Sequence, residues 1–211
     1  MRLYGFWRSS AAYRVRIALA LKGLEWEPVA VDLPADGQRQ PDFLALNPQA
    51  LVPALEDGGA VLAQSLAILE YLEETYPQPP LLPPGAVARA EIRRLAAMVA
   101  CDIHPLGNLR VLRYLRGRLG ADDAAVTAWI HQWIGEGFRA MEALLAGRAG
   151  RFCHGDAPTL ADVCLVPQVY NARRFGLDLT PYPTLVRIDA ACAALPAFAA
   201  AAPEAQPDRP A

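Results

Sequence analysis

Two rhythms divide the chain. From residue 2 to about 76, short apolar runs alternate with helical periodicity. Leu3 to Phe6 reads as a strand, Val15-Arg16-Ile17-Ala18-Leu19 as part of a helix ending at Lys22-Gly23, and Glu27 to Val31 as a second strand before a polar loop through Asp42. Gly23 suits a helix stop because glycine takes the left-handed conformation without steric cost. Leu51-Val52-Pro53-Ala54-Leu55 and Val61 to Ala63 flank Asp57-Gly58-Gly59, which predicts an antiparallel hairpin. Ser65 is read as the cap of the next helix, whose apolar stripe is Leu66, Ile68, Leu69 and Leu72 and which Pro77 ends. The order strand, helix, strand and then strand, strand, helix predicts a small thioredoxin-like domain, with one mixed sheet covered by helices.

Beyond that point the helical period dominates. Pro77 to Gly85 holds five prolines and reads as an ordered connector. Residues 87 to 118 predict a long helix that Pro105 bends or breaks, and 122 to 146 a second with Trp129 and Trp133 on one face, both assigned to the core. Thr159-Leu160-Ala161-Asp162 opens a third as a capping box, a structural feature. The Ala/Pro-rich tail after residue 193 is expected to fray at its end. The fold class is therefore α/β plus all-α: a thioredoxin-like domain over 1–78, a proline-rich linker over 79–86 and a helical bundle over 87–211.

Composition narrows the function. At 211 residues and 54% apolar content the chain can bury two small cores. No run approaches the ~20 apolar residues of a membrane span, and the N-terminus leads directly into a strand, so the expected location is the cytoplasm. A net charge of -2 without a clustered basic face argues against nucleic acid. Cys101, Cys153, Cys164 and Cys192 show neither CxxC nor zinc-like spacing and read as ordinary buried residues; no metal site is expected. Lys22 is the only lysine among 20 basic residues, so each arginine is weighed by position.

The densest chemistry lies in Trp7-Arg8-Ser9-Ser10-Ala11-Ala12-Tyr13-Arg14-Val15-Arg16, between the first strand and its helix. Two hydroxyls and the first helical amides converge where a small anion would bind. A redox protein with this opening would carry its cysteine here; with serines instead, a thiolate has to arrive on a small molecule. The plainer alternatives are N-capping for Ser9 and Ser10 and a surface ion pair for Arg8. His104 before Pro105 is either a packed histidine at a kink or a ligand contact near Asn108 and Arg110. His131 and His154 have no evident partner, and Arg173 is assigned to solvent.

Taken in order, Arg8-Ser9-Ser10 with Arg14 to Leu19, Ala45-Leu46-Asn47-Pro48 with Val52-Pro53, Gln64 to Ile68, Leu165 to Val169 and Asp178 to Pro183 resemble the zeta class of glutathione transferases. That family contains the glutathione-dependent maleylacetoacetate and maleylpyruvate isomerases. The resemblance implies a cis peptide before Pro53 that presents the Val52 main chain to the cysteinyl backbone of glutathione. It also implies the γ-glutamyl carboxylate on Gln64 and Ser65, and the sulfur beside Ser9 with Ser10 adjoining. Gln38 matches a further glutathione contact, with Gln40 as competitor. His104 and Asn108 join the cofactor contacts, and Arg8, Arg110 and Arg174 are expected on a dicarboxylate substrate. Ala11 stands where mammalian-type members have cysteine and Gly107 where glutamine is frequent, whereas Cys101 to Pro105, Asn108 and Arg110 resemble the bacterial maleylpyruvate isomerases. The implied activity is cis-trans isomerisation of a maleyl keto acid, with maleylpyruvate slightly favoured over maleylacetoacetate, in aromatic-compound breakdown, by a homodimer. The rivals are a transferase or dehalogenase acting on α-halo acids, and a non-enzymatic interaction module.

Overall fold

The computed structural model describes residues 1–210. The chain forms two compact units, Met1–Leu81 with Ala193–Ala211, and Leu82–Cys192. In the first, β1 (Arg2–Gly5), β2 (Glu27–Ala30), β3 (Ala54–Asp57) and β4 (Ala60–Ala63) form a sheet of order β2-β1-β3-β4. β1 runs parallel to β2, while β3 runs antiparallel to both β1 and β4. The hairpin turns at Gly58 and Gly59, both at positive φ.

Strand alternation sends Tyr4 and Ala54 to one face, where they cluster with Val31 and with Phe43 of α2 (Pro41–Leu46). Leu3, Gly5 and Leu55 take the other face. There α1 (Ser10–Leu21) approaches so closely that a Cβ on Gly5 would meet Ala12 Cβ at 3.2 Å. Ser10 to Leu19 are all buried, which explains why α1 is small-residue-rich and weakly amphipathic.

Two contacts show that α1 and α3 (Ser65–Thr75) run parallel. Near their starts Arg14 meets Ser65, and near their ends Lys22 meets Glu73. The Lys22 ammonium is buried; it donates to Glu73 Oε2 at 2.9 Å, the Tyr76 carbonyl at 2.7 Å and the Pro79 carbonyl at 3.0 Å. Glu73 in turn accepts the Leu81 amide. The proline-rich segment is thereby tied to the first unit as far as Leu81.

The C-terminal tail requires a correction. Residues 193–210, expected in the helical domain with a frayed end, belong to the first unit. Here α9 (Pro196–Ala201) packs on α1. Phe198 and Ala201 are buried, Tyr13 Oη donates to the Phe198 carbonyl, and Arg16 Nε donates to the Ala201 carbonyl at 2.9 Å. Ala211 lies outside the described residues.

The second unit contains α4 (Ala86–Ala97), α5 (Leu109–Leu119), α6 (Asp123–Leu145), α7 (Leu160–Arg174) and α8 (Pro183–Ala193). The predicted long helix is interrupted: α4 passes into a π turn over Met98–Ile103 and a 3-10 turn over His104–Gly107, with Pro105 inside the latter. Gly137 of α6 makes room for the π turn, since a Cβ there would lie 2.3 Å from Ile103. Thr159 and Asp162 form the expected capping box of α7, and buried Asp162 also accepts the Cys153 amide at 2.8 Å. Burial outweighs these bonds and raises the Asp162 pKa. Trp129 and Trp133 stack edge to face at 5.4 Å, but each is half-buried rather than core.

Candidate functional site

In the first unit the parallel course of α1 and α3 places two helix N-termini, each with orphan amides and partial positive charge, side by side. Ser9 is the N-cap of α1, and its Oγ accepts the Ala12 amide at 3.2 Å. An oxygen that accepts keeps its own proton to donate, so the capping and sulfur-facing roles are compatible. Ser10, at the first helical position, is 5% exposed, leaving Ser9 the more accessible of the two hydroxyls. Arg8 is exposed, with its guanidinium 5.1 Å from the Trp7 ring centre, and among the described residues it forms no ion pair.

The loop bearing these residues is gripped from the tail. Asp208 accepts the Trp7 amide at 2.8 Å, and Arg16 Nη2 donates to the Trp7 carbonyl at 2.9 Å. Burial lowers the Arg16 pKa to about 10, against the opposing influence of Asp208. The sequence assigned no role to Asp208 or, within the densest segment, to Arg16 by itself, because Asp208 lies 201 positions from Trp7 and Ala201 185 positions from Arg16, too far apart for a local signal of contact.

At the second N-terminus the expected cap shifts by one residue. Gln64, at φ 70°, is the N-cap, and Ser65 is the first helical residue. The buried Ser65 Oγ accepts from Arg14 Nη1 at 3.1 Å. Gln64 Nε2 donates to Gln49 Oε1 at 2.8 Å, which joins this helix start to the loop before Val52. That loop is fixed by buried Asn47, whose Nδ2 donates to the Leu51 carbonyl at 2.7 Å. The peptide bond before Pro53 is cis. The β1–β3 ladder ends with Tyr4 opposite Ala54, so the Val52 main chain lies beyond the paired region. Gln38 is buried and donates to Asp36 Oδ1, while Gln40 is exposed beside an open cavity of about 320 Å³ between β2 and α2.

In the second unit His104 opens the 3-10 turn and, with Trp133, Gln168, Asn171 and Phe175, lines a small cavity of about 10 Å³. Asn108 caps α5, its Oδ1 accepting the Arg110 amide at 3.1 Å. Its amide group remains a donor. Arg110 is exposed in the first turn of α5. Arg174 is exposed in the last turn of α7, 4.2 Å from the Phe175 ring centre.

Three expectations change here. His131 does have a partner: its Nε2 lies 2.7 Å from the Phe175 carbonyl, which only accepts, so the ring donates and fixes the end of α7. Arg173, assigned to solvent, is exposed but also pairs with Asp189 at 2.6 Å; burial raises that carboxyl's pKa and Arg173 opposes the rise. Cys101 is exposed, unlike the other three cysteines. Burial raises the Cys153 and Cys192 thiol pKa values, which makes them poor nucleophiles. Among the described residues no group of His, Cys, Asp and Glu could hold a metal ion, and no helix is long and apolar enough to cross a membrane.

The chain matches the glutathione S-transferase N-terminal domain over residues 1–74 and the C-terminal domain over 123–206. It is 57% identical to a maleylpyruvate isomerase of Ralstonia sp, covering 99% of both chains. A holo structure of maleyl pyruvate isomerase, described as a bacterial glutathione transferase of the zeta class, superposes with a TM-score of 0.97 at 57% identity over 99% of each chain. A maleylacetoacetate isomerase from Anaeromyxobacter dehalogenans, with dicarboxyethyl glutathione and citrate in its active site, gives 0.88 at 52% identity, covering 100% of this chain and 97% of that one.

Proposed function

The chain belongs to the zeta class of the glutathione S-transferase family, and on that premise we propose that it is a glutathione-dependent cis-trans isomerase of maleyl keto acids. The observation that carries this reading is the pair of adjacent helix N-termini joined by Arg14 and Ser65, beside an unpaired Val52 main chain. These groups fit an extended tripeptide with a thiol at its centre and a carboxylate at one end. When bound, glutathione would supply a thiolate whose reversible addition turns the cis double bond into a single bond free to rotate, and whose expulsion re-forms the double bond as the trans isomer and regenerates free glutathione.

Ser9 donates a hydrogen bond from its hydroxyl to the sulfur and, with the α1 amides and neighbouring Ser10, favours the thiolate form. Val52, placed by Pro53, pairs with the peptide main chain. Gln64 and Ser65 hold the γ-glutamyl carboxylate at the start of α3. Gln38, His104 and Asn108 are further glutathione contacts. Arg8, Arg110 and Arg174 take the substrate carboxylates, so that one end of the dianion is clamped while the other turns. A site that takes carboxylates together with glutathione is supported by the Anaeromyxobacter relative, whose active site holds dicarboxyethyl glutathione and citrate.

Maleylpyruvate is the preferred substrate and maleylacetoacetate the second; the setting is the cytoplasmic breakdown of aromatic compounds by a homodimer. Kinetics of Arg8→Met and Arg174→Met test the reading. Loss of one guanidinium from a desolvated carboxylate should cost about 2 to 5 kcal/mol in transition-state stabilisation. Near-normal activity of both variants on both diacids, with an α-halo acid the better substrate of the unaltered protein, would favour a transferase or dehalogenase instead.

A further inference from the structure

We propose that Arg14 is a positioning residue that commits the Ser65 hydroxyl to donate to the α-carboxylate at the γ-glutamyl end of glutathione. The inference rests on the reading that Ser65 holds that carboxylate. A guanidinium has donors only, so in the 3.1 Å contact between Arg14 Nη1 and Ser65 Oγ the serine oxygen must accept. Its single proton is then directed to another acceptor. Ser65 is the first helical residue of α3, so its main-chain amide is one of the orphan donors at the same helix start. Hydroxyl and amide together present two donors to an anion.

The placement of Arg14 strengthens the arrangement. Its side chain is 1% exposed, and a cation away from water acts on a nearby anion with less screening than a surface arginine would. Arg14 lies in the second turn of α1, the helix that also presents Ser9, so one helix contributes to both the sulfur end and the carboxylate end of the site. In the sequence Arg14 and Arg16 look alike, two residues apart. The structure separates their tasks: Arg16 grips the tail and the Trp7 loop, while Arg14 reaches Ser65.

Calorimetric binding of two peptides tests the proposal without reference to turnover: glutathione, and 4-aminobutanoyl-cysteinylglycine, which lacks only the α-carboxylate. The unaltered protein should bind glutathione roughly 10- to 100-fold more tightly, the range for a hydrogen bond to a charged group. In Arg14→Met that preference should fall to about threefold or less, with affinity for the analogue changed by less than about twofold. Arg14→Lys, which keeps a cation with donors only, should restore most of it. Should Arg14→Met fail to fold, Arg14→Gln serves, because an amide accepts as well as donates and no longer commits the hydroxyl; there too the preference should collapse, and an unchanged preference would overturn the proposal. Equal weakening of both peptides in Arg14→Met, with the preference lost in Ser65→Ala, would assign Arg14 a purely structural role and leave the Ser65 reading standing. A full preference retained in Ser65→Ala would overturn that reading and this inference with it.

Discussion

Removing Asp208 should loosen the loop that carries Arg8 and Ser9 without touching either residue. The Asp208 carboxylate accepts the Trp7 amide at 2.8 Å and supports buried Arg16, which holds the Trp7 carbonyl from the other side. A hydrogen bond to a charged group contributes about 1.5 to 3 kcal/mol. Asp208 and Trp7 are both half-buried, which places this one at the lower end, about 1.5 kcal/mol. For a protein of this size Asp208→Ala should then lower the melting temperature by about 3 to 6 °C. Asp208→Asn, which keeps an acceptor but not the charge, should cost about half as much. On the proposed reading, in which Val52 and Ser65 hold glutathione elsewhere, its dissociation constant should change by less than about twofold, while kcat/KM for the diacid falls by about three- to tenfold. Thermal unfolding, calorimetry and steady-state kinetics on the same preparations make the comparison. Unaltered melting and unaltered kcat/KM in Asp208→Ala would refute the idea that the tail positions the loop.

Ser9→Ala should lower turnover far more than glutathione affinity; thiolate absorbance of the complex against pH should show a raised thiol pKa, and an unchanged value would remove Ser9 from thiol activation. Lys22→Met should destabilise the protein by about 3 to 5 kcal/mol by leaving buried Glu73 without its cation, and Glu73→Gln in the same chain should recover part of the loss in urea unfolding. Arg173→Met removes the group that opposes the raised Asp189 pKa, so the folded-state value rises further. A raised folded-state pKa contributes stability below the unfolded value that is lost as pH rises through the folded one, so the variant should match the unaltered protein near pH 3 and fall about 1 to 2 kcal/mol behind it by neutral pH. A pH-independent difference would contradict that assignment.

Elements written in local patterns were legible before the structure. The hairpin around Gly58-Gly59, the stop at Gly23, the break at Pro105 and the capping box of Thr159 and Asp162 each depend on residues a few positions apart. The cap of α3 was displaced by one residue because Gln64 takes a positive φ that glutamine rarely adopts. What sequence could not convey was long-range pairing. The tail on α1, Arg14 on Ser65, His131 on the Phe175 carbonyl and Arg173 on Asp189 join residues 16 to 185 positions apart. The alanine-rich tail was placed in the helical domain and expected to fray at its end because small residues carry little periodic contrast, yet their size permits close helix packing. The serines and exposed arginines assigned to the proposed site were named by the sequence and the family resemblance. The residues that hold them in place were not.

Isomerisation under limiting glutathione tests the central claim most directly. Enzyme, a maleyl keto acid in large excess and glutathione at a few per cent of the substrate would be followed by product analysis and titration of free thiol. Many turnovers per glutathione are expected, with the fumaryl isomer as product and the thiol recovered in full. Consumption of one thiol per product, or no conversion of either maleyl keto acid, would contradict it.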